Sequence, residues 1–318
     1  MFQSETRLLT HGISIVVPVY NDRDSVPLFM AELNPVLDSL GLDYEVLFSV
    51  DPSTDGTELA IEELHRSNPR VKMIVFSRRF GQPMATLAGL DYCTGDFAIV
   101  MDVDLQDPPR LIPEFVAKWK DGFDVVCAQR RSRVGETLVK RVVSKIGYGV
   151  INRLSDVPIP KDSGDFRLID RRVIDHLRMF PETHGFLRGL VSLVGFKQTI
   201  VTFDRPARIT GHGKYNRFTG SLRIGLNGVI GFSSALLSLS TIIGFAASLL
   251  AFLTALAYIV LKIVGTPFPI GNPTIVVLIL LLGGFQLICL GIAGQYIGRI
   301  YDETKRRPRY IIDRMIGL

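Results

Sequence analysis

Three carboxylates, Asp102, Asp104 and Asp107, fall within six residues. They directly follow the apolar run Phe97-Ala98-Ile99-Val100-Met101. A short apolar run bounded by polar residues reads as a buried strand. Side chains two apart on an extended backbone point the same way. Asp102 and Asp104, at the mouth of that strand, can therefore share one hard divalent cation, directly or through water. Mg²⁺ and Mn²⁺ favour oxygen ligands and commonly share them with substrate phosphates. Pro108-Pro109 ends the strand and opens a helix near Arg110. Taken alone, D-x-D describes an acidic turn equally well, so the surrounding elements decide its meaning.

Those elements alternate. Strands are expected over Ile13–Asn21, which runs into a loop, and over Tyr44–Val50, Val71–Phe76, Phe97–Met101 and Asp124–Ala128. Helices are expected over Pro27–Leu40, Glu58–Ser67, Gly81–Cys93 and Leu111–Lys120. Short apolar strands alternating with helices predict a parallel sheet covered on both faces. Ligands in such sheets bind outside the carboxyl ends of the strands. Here those ends carry Asn21, then Asp51, then Asp102 and Asp104. Further on, Pro158-Ile159-Pro160 reads as a loop leading through Asp162-Ser163-Gly164-Asp165-Phe166-Arg167-Leu168. Arg171–Met179 and Phe186–Val194 read as helices, and Gln198–Phe203 as a strand. Neither G-x-G-x-x-G nor G-x-x-x-x-G-K-[ST] occurs, which argues against a dinucleotide fold and a P-loop. Phosphates would instead be met by a cation and by Arg130, Arg131 and Arg133, a run that alone reads equally as a solvated loop.

Composition points to an anionic, membrane-associated setting. Hydrophobic residues make up 47% of 318, and the excess lies in the last third. The net charge of +5 suits nucleotides or lipid phosphates. No basic arm or aromatic-basic module marks nucleic acid as a partner. Three scattered cysteines indicate neither a disulfide framework nor a zinc site. The polar first residues lack a signal-peptide core, so a cytoplasmic N-terminus is expected.

A helix over 135–154 alternates basic and apolar positions and can lie on a membrane surface or pack on the sheet. Residues 216–231 form an expected interfacial amphipathic helix. No charged residue occurs between Arg223 and Lys262. Two uncharged stretches, about 234–261 and 274–297, are long enough to cross a bilayer. Basic residues lie before the first and after the second, which predicts both termini in the cytoplasm. The expected organisation is a catalytic domain over 1–215, the juxtamembrane helix over 216–231, and a two-span membrane domain with a short basic tail over 232–318.

The motifs in order are Val17-Pro18-Val19-Tyr20-Asn21, Asp51-Pro52-Ser53-Thr54-Asp55-Gly56-Thr57 and Asp102-Val103-Asp104-Leu105-Gln106-Asp107-Pro108-Pro109. Gly164-Asp165-Phe166-Arg167-Leu168 and Gly294-Gln295-Tyr296-Ile297-Gly298-Arg299-Ile300-Tyr301 follow. With these, nearly the whole chain resembles the inverting family 2 glycosyltransferases of GT-A fold that act on polyprenyl phosphates, relatives of dolichol-phosphate mannose synthase. The resemblance implies a Rossmann-like, mostly parallel sheet domain and a nucleotide-sugar donor. Pro18, Tyr20, Asn21, Asp51, Asp102, Asp104 and Gln106 would hold that donor. It implies Mg²⁺ or Mn²⁺ on Asp104 and Asp102. Arg130, Arg131, Arg133, Arg167 and Lys214 would meet donor or acceptor phosphates, and Asp165 stands at the position of the catalytic base. A homo-oligomer, up to a tetramer, is implied, as are a downstream flippase and a periplasmic glycosyltransferase.

Two positions depart from the family pattern. Pro52 replaces a usual Gly and stiffens the base-binding loop, and Gly213 replaces a usual Ser and removes a hydroxyl near the acceptor. The Ser-Gly-Asp-Phe-Arg-Leu loop is most similar to enzymes moving glucose from UDP-glucose to undecaprenyl phosphate. N-acetylglucosamine from UDP, or mannose from GDP, stays open. A processive synthase would carry Q-x-x-R-W, whereas the single tryptophan is Trp119. An inactive nucleotide-sugar-binding scaffold is disfavoured by the intact Asp102, Asp104 and Asp165. A two-span transporter would need an ionisable residue within a span.

Overall fold

A computed structural model describes residues 10–131, 163–180, 187–204, 206, 235–265 and 271–318. The expected helices over 135–154 and 216–231, together with Arg133 and Lys214, lie outside the described residues.

The expected alternation is present. Strands β1 (Ile13–Val19), β2 (Tyr44–Val50), β3 (Val71–Phe76), β4 (Phe97–Val100) and β5 (Val125–Arg130) alternate with helices α1 (Ser25–Leu40), α2 (Thr57–Ser67), α3 (Gln82–Tyr92) and α4 (Ile112–Lys120). Then come β6 (Ser163–Asp170), α5 (Arg171–Met179), α6 (Leu187–Val194) and β7 (Gln198–Phe203). Helices α7 (Ala235–Ile263) and α8 (Asn272–Thr304) precede a last strand, β8 (Ile312–Ile316).

One sheet runs in the order β7-β5-β6-β4-β1-β2-β3-β8. β1 pairs in parallel with β2 on one side and β4 on the other, which makes it the switch point where ligand clefts form. Period-two alternation explains the two-sided core. Ile13, Ile15, Val17 and Val19 enter one hydrophobic layer with Phe29 and Leu33 of α1 and Phe115 of α4. Val16 enters the other, with Leu87 of α3, Val173 of α5 and Leu190 of α6. α3 approaches the sheet closely because Gly89 has no side chain: a Cβ there would stand 2.9 Å from Ser49 Oγ.

Two strands correct the sequence reading. The Ser163–Leu168 stretch, expected as a loop, is strand β6, antiparallel between β4 and β5. Alternating Phe166, Leu168 and buried neighbours give it a strand pattern that the preceding prolines obscure. The expected basic tail contains β8, which pairs antiparallel with β3.

Helices α7 and α8 pack on each other. Their stretches Ser240–Leu261 and Leu281–Thr304 are long and apolar enough to cross a membrane. Phe245, Leu250, Ile279, Leu287 and Leu290 are each more than half exposed, an arrangement that hydrocarbon surroundings favour and water does not. α8 continues to Thr304, past the expected end of its span at Ile297.

Candidate active site

The first part of the site edge is built where β1 and β2 end. Pro18 lies inside β1, opposite Ser49 of β2. Tyr20 follows the strand, with the Arg79 guanidinium stacked 4.0 Å from its ring centre. Asn21 takes a left-handed backbone, φ 51°, which asparagine tolerates better than most residues. Its backbone N–H donates to Ser53 Oγ at 3.0 Å, and its Oδ1 accepts from Thr54 N at 2.8 Å. Asp22 N donates to Thr57 Oγ1 at 3.0 Å. The loops after β1 and β2 are thus fastened together. Asp51, only 2% exposed, accepts from Phe80 N on one carboxylate oxygen and from Gly81 N on the other, both at 2.9 Å. A carboxylate oxygen has two acceptor sites, so Asp51 can tie this turn and still accept a further hydrogen bond.

The Asp102–Asp107 segment is a turn, not a strand. β4 ends at Val100, and Leu105 adopts φ 58°, so strand alternation does not orient Asp102 and Asp104. Asp102 Oδ1 accepts from Gln82 Nε2 at 2.7 Å, and its N–H donates to Asp107 Oδ2 at 3.1 Å. Asp104 is buried, 8% exposed, and its Oδ1 accepts from Gln106 N at 3.1 Å. Among the described residues no group of three or more His, Cys, Asp or Glu side chains converges on one metal position. Two carboxylates in a polar turn fit a cation that takes its remaining ligands from a pyrophosphate and water, the usual Mg²⁺ arrangement.

The third part is Asp165 on β6. Val100 of β4 pairs with Arg167, so the antiparallel strand carries Asp165 two residues past the end of β4, to the edge where Asp102 stands. Arg188 of α6 donates from Nε to Asp165 Oδ1 at 2.9 Å. Arg167 is 2% exposed and donates from Nη2 to Gly164 O at 2.8 Å. Arg130, ending β5, brings Nη2 to 3.5 Å from the point where a Gly164 Cβ would stand. Burial alone would raise the Asp165 carboxyl. Arg188 foremost, then Arg167 and Arg130, outweigh it and hold the group below the usual carboxylate range. Arg131 turns elsewhere: it is exposed and lies 3.8 Å from Asp204.

Arg188 escaped the sequence reading. Its signal was a lone cation among the apolar positions Leu187, Leu190 and Val191 of a short helix, where a charge needs a partner.

Residues 14–178 match the family model described as Glycosyl transferase family 2. The chain belongs to this family. It is 42% identical over 313 residues, 98% of this chain and 97% of the relative, to an uncharacterized glycosyltransferase of Synechocystis sp.. It is 40% identical over 301 residues, 94% of this chain and 98% of the relative, to the bactoprenol glucosyl transferase of Shigella phage SfX. A looser likeness, TM-score 0.46 at 17% identity, covers 70% of this chain and 79% of glucosyl-3-phosphoglycerate synthase from Mycobacterium tuberculosis.

A family 2 glycosyltransferase breaks the bond between a sugar's anomeric carbon and a leaving group. In this one the carboxylates of the turn after β4 and the arginine-held Asp165 line the carboxyl edge of one sheet. The first group suits a charged leaving group. The second combines an ionised carboxylate with the guanidinium groups of Arg188, Arg167 and Arg130.

Proposed function

We propose that this glycosyltransferase moves a hexose, glucose from UDP-glucose, onto undecaprenyl phosphate with inversion at the anomeric carbon. The observation that carries the reading is Asp165 held as a carboxylate by Arg188, with Arg167 and Arg130 close by. Arginines are the side chains that meet phosphate oxygens with charge-assisted hydrogen bonds, so this cluster supports a phosphate acceptor. The name of the Shigella phage relative, a bactoprenol glucosyl transferase, supports the lipid acceptor and the sugar. The two apolar helices support a site held at a bilayer, because each CH₂ of an isoprenoid drawn into water costs about 0.8 kcal/mol.

In this mechanism an acceptor phosphate oxygen forms the new bond to the anomeric carbon. The bond from that carbon to the donor's β-phosphate oxygen breaks, and its electron pair leaves with the nucleoside diphosphate. Asp51, Tyr20 and Asn21 hold the nucleoside. Asp104 and Asp102 would hold Mg²⁺ or Mn²⁺, and that cation, when bound, neutralises charge developing on the pyrophosphate. A phosphate monoester has its second pKa at about 6, so the acceptor arrives ionised and needs no strong base. Asp165, held as a carboxylate, therefore orients the acceptor through its arginines and stabilises positive charge on the sugar ring. The family resemblance assigns Lys214 and Arg133 to the phosphates as well, whereas Arg131 is exposed beside Asp204 and drops out of that role.

The catalytic domain and both termini face the cytoplasm, and the protein assembles as a homo-oligomer through its membrane helices. The lipid-linked sugar then feeds a flippase and a periplasmic glycosyltransferase that modifies a cell-envelope glycan. The test is transfer of labelled sugar into an organic-extractable lipid from UDP-glucose, UDP-N-acetylglucosamine or GDP-mannose, each with Mn²⁺ or EDTA. Metal-dependent label from UDP-glucose supports the reading. Label from another donor reassigns the sugar, and no label from any donor overturns the reading in favour of a nucleotide-sugar-binding scaffold.

A further inference from the structure

The strand after the second apolar helix is fastened to the donor edge of the sheet at several points. β8 pairs along β3, with Met73 opposite Ile316 and Val75 opposite Arg314. Ser77 N, one residue past β3, donates to Ile311 O at 3.0 Å. Between α8 and β8, Arg309 and Tyr310 converge on Asp91 of α3. Arg309 Nη2 lies 3.2 Å and Tyr310 Oη 2.7 Å from the same carboxylate oxygen. The Arg309 and Asp91 side chains are each only 16% exposed, so this pair is shielded in a way that surface pairs are not. Burial, then the Asp91 carboxylate, push the Tyr310 hydroxyl far above its ordinary range, which keeps it a donor. Arg314 of β8 adds ion pairs to Glu58 and Glu62 of α2 at 2.8 and 3.0 Å.

From this clasp a chain of contacts leads to the donor site. The Tyr310 ring packs 5.8 Å from Phe76 at the end of β3. Phe76 packs 6.0 Å from Phe80. Phe80 N and Gly81 N then hold the two oxygens of Asp51. Arg79 in the same turn stacks on Tyr20. Without β8, β3 would be an open edge strand, and the turn that fixes Asp51 would lose its flanking support. Only Lys305–Pro308 separate the end of α8 from the clasp.

We propose that Asp91, Arg309 and Tyr310 are positioning residues for the donor half of the reaction. They lock the turn from Ser77 to Gly81, and through it Asp51, to the end of the second apolar helix. The inference rests on the reading of the Asp51 edge as the nucleotide site. It assigns donor affinity to Arg309 and Tyr310, which lie beyond the family-matched segment and after the two apolar helices in sequence, through their partner Asp91 within that segment.

The test uses the full-length protein in lipid nanodiscs, titrated with UDP and separately with GDP in the presence of Mn²⁺. Asp91→Arg and Arg309→Asp, each alone, are expected to weaken nucleotide affinity about fivefold, and the charge-swapped double variant to restore it. Tyr310→Phe, a milder change, is expected to weaken it about twofold. The KM for undecaprenyl phosphate stays unchanged in all of them. Asp51→Asn serves as the comparison. If the clasp variants melt earlier yet bind nucleotide like the wild type, while Asp51→Asn loses affinity, the clasp is merely structural and the inference is overturned. If Asp51→Asn also binds like the wild type, the donor-site reading beneath it falls instead.

Discussion

The two halves of the site are built by different means. The proposed donor half stands on parallel strands β1 and β2, and its polar groups are tied mainly by hydrogen bonds from backbone N–H groups: Phe80 and Gly81 to Asp51, Asn21 to Ser53, and Thr54 to Asn21. The proposed acceptor half stands on one antiparallel strand, β6, and is tied by charge: Asp165 to Arg188, with Arg167 and Arg130 close by. Backbone ties fix a shape and serve a ligand read by hydrogen bonds. Charge ties leave side chains that can exchange partners when an anion arrives. A substrate that is bound and released as a leaving group suits the first half, and a phosphate that must come in from a membrane suits the second.

The largest effect is expected at the junction of the halves. Asp104→Asn should lower sugar transfer about a thousandfold and weaken UDP binding only when a divalent cation is present. Equal UDP affinity with and without cation in the wild type would remove Asp104 from the metal role.

Arg188→Met should come next. It is expected to lower kcat/KM for the lipid acceptor about a hundredfold while leaving UDP affinity unchanged. It should also release the Asp165 carboxyl upward, since burial then acts with less opposition. In the wild type the depressed Asp165 stays ionised well below neutrality, so the acid limb of the pH–rate profile belongs to the acceptor phosphate, near pH 6. In Arg188→Met a second ionisation should enter that limb from Asp165. A profile identical to the wild type's, measured by single-turnover transfer, would break the proposed coupling.

Asp51→Asn probes the other half. Loss of two charge-assisted hydrogen bonds should weaken UDP binding about tenfold with no change in acceptor KM. A change in acceptor KM instead would mean that the two halves do not separate.

What the sequence disclosed divides along the same line. The donor half was legible because Ile13–Val19 and Tyr44–Val50 are mainly apolar, with only Ser14, Glu45 and Ser49 polar, and end in polar clusters, a pattern that suits a buried parallel strand. Asp51 and Asn21 could be placed at one edge before any coordinates. The acceptor half was hidden by its chemistry. β6 opens on Ser163-Gly164-Asp165 after a proline-rich stretch, so it reads as a loop, although Phe166 and Leu168 point into the core. Arg188 and Asp165 are 23 residues apart, and only the packing of α6 beside β6 reveals them as a pair. β8 was hidden because an edge strand with Asp313 and Arg314 needs no apolar run.

The smallest effect belongs to the floor of the donor half. Glu45 at the amino end of β2 accepts from Ser14 Oγ and Thr94 N, both at 2.6 Å, and pairs with Lys72 at 2.8 Å. Burial would raise its carboxyl, but Lys72, Ser14 and Thr94 together hold it below the ordinary value. A depressed carboxylate stabilises the fold above its unfolded pKa, near 4.3, and that contribution fades as pH falls through the folded value. Glu45→Gln should cost about 1 kcal/mol at neutral pH and flatten the acid side of the stability curve, as read by urea unfolding at several pH values. An unchanged curve would show that the floor does not depend on this charge.

The claim that Asp165 acts as an arginine-held carboxylate, not as a proton acceptor, has one direct test. Single-turnover transfer of glucose from UDP-glucose to undecaprenyl phosphate would be followed for the wild type and Asp165→Asn, from about pH 6 to about pH 9. The account predicts a near-complete loss in the variant that persists at high pH, because a fully ionised acceptor still lacks its positioning and its charge stabilisation. Recovery of the variant's rate as pH rises would contradict it and make Asp165 a base.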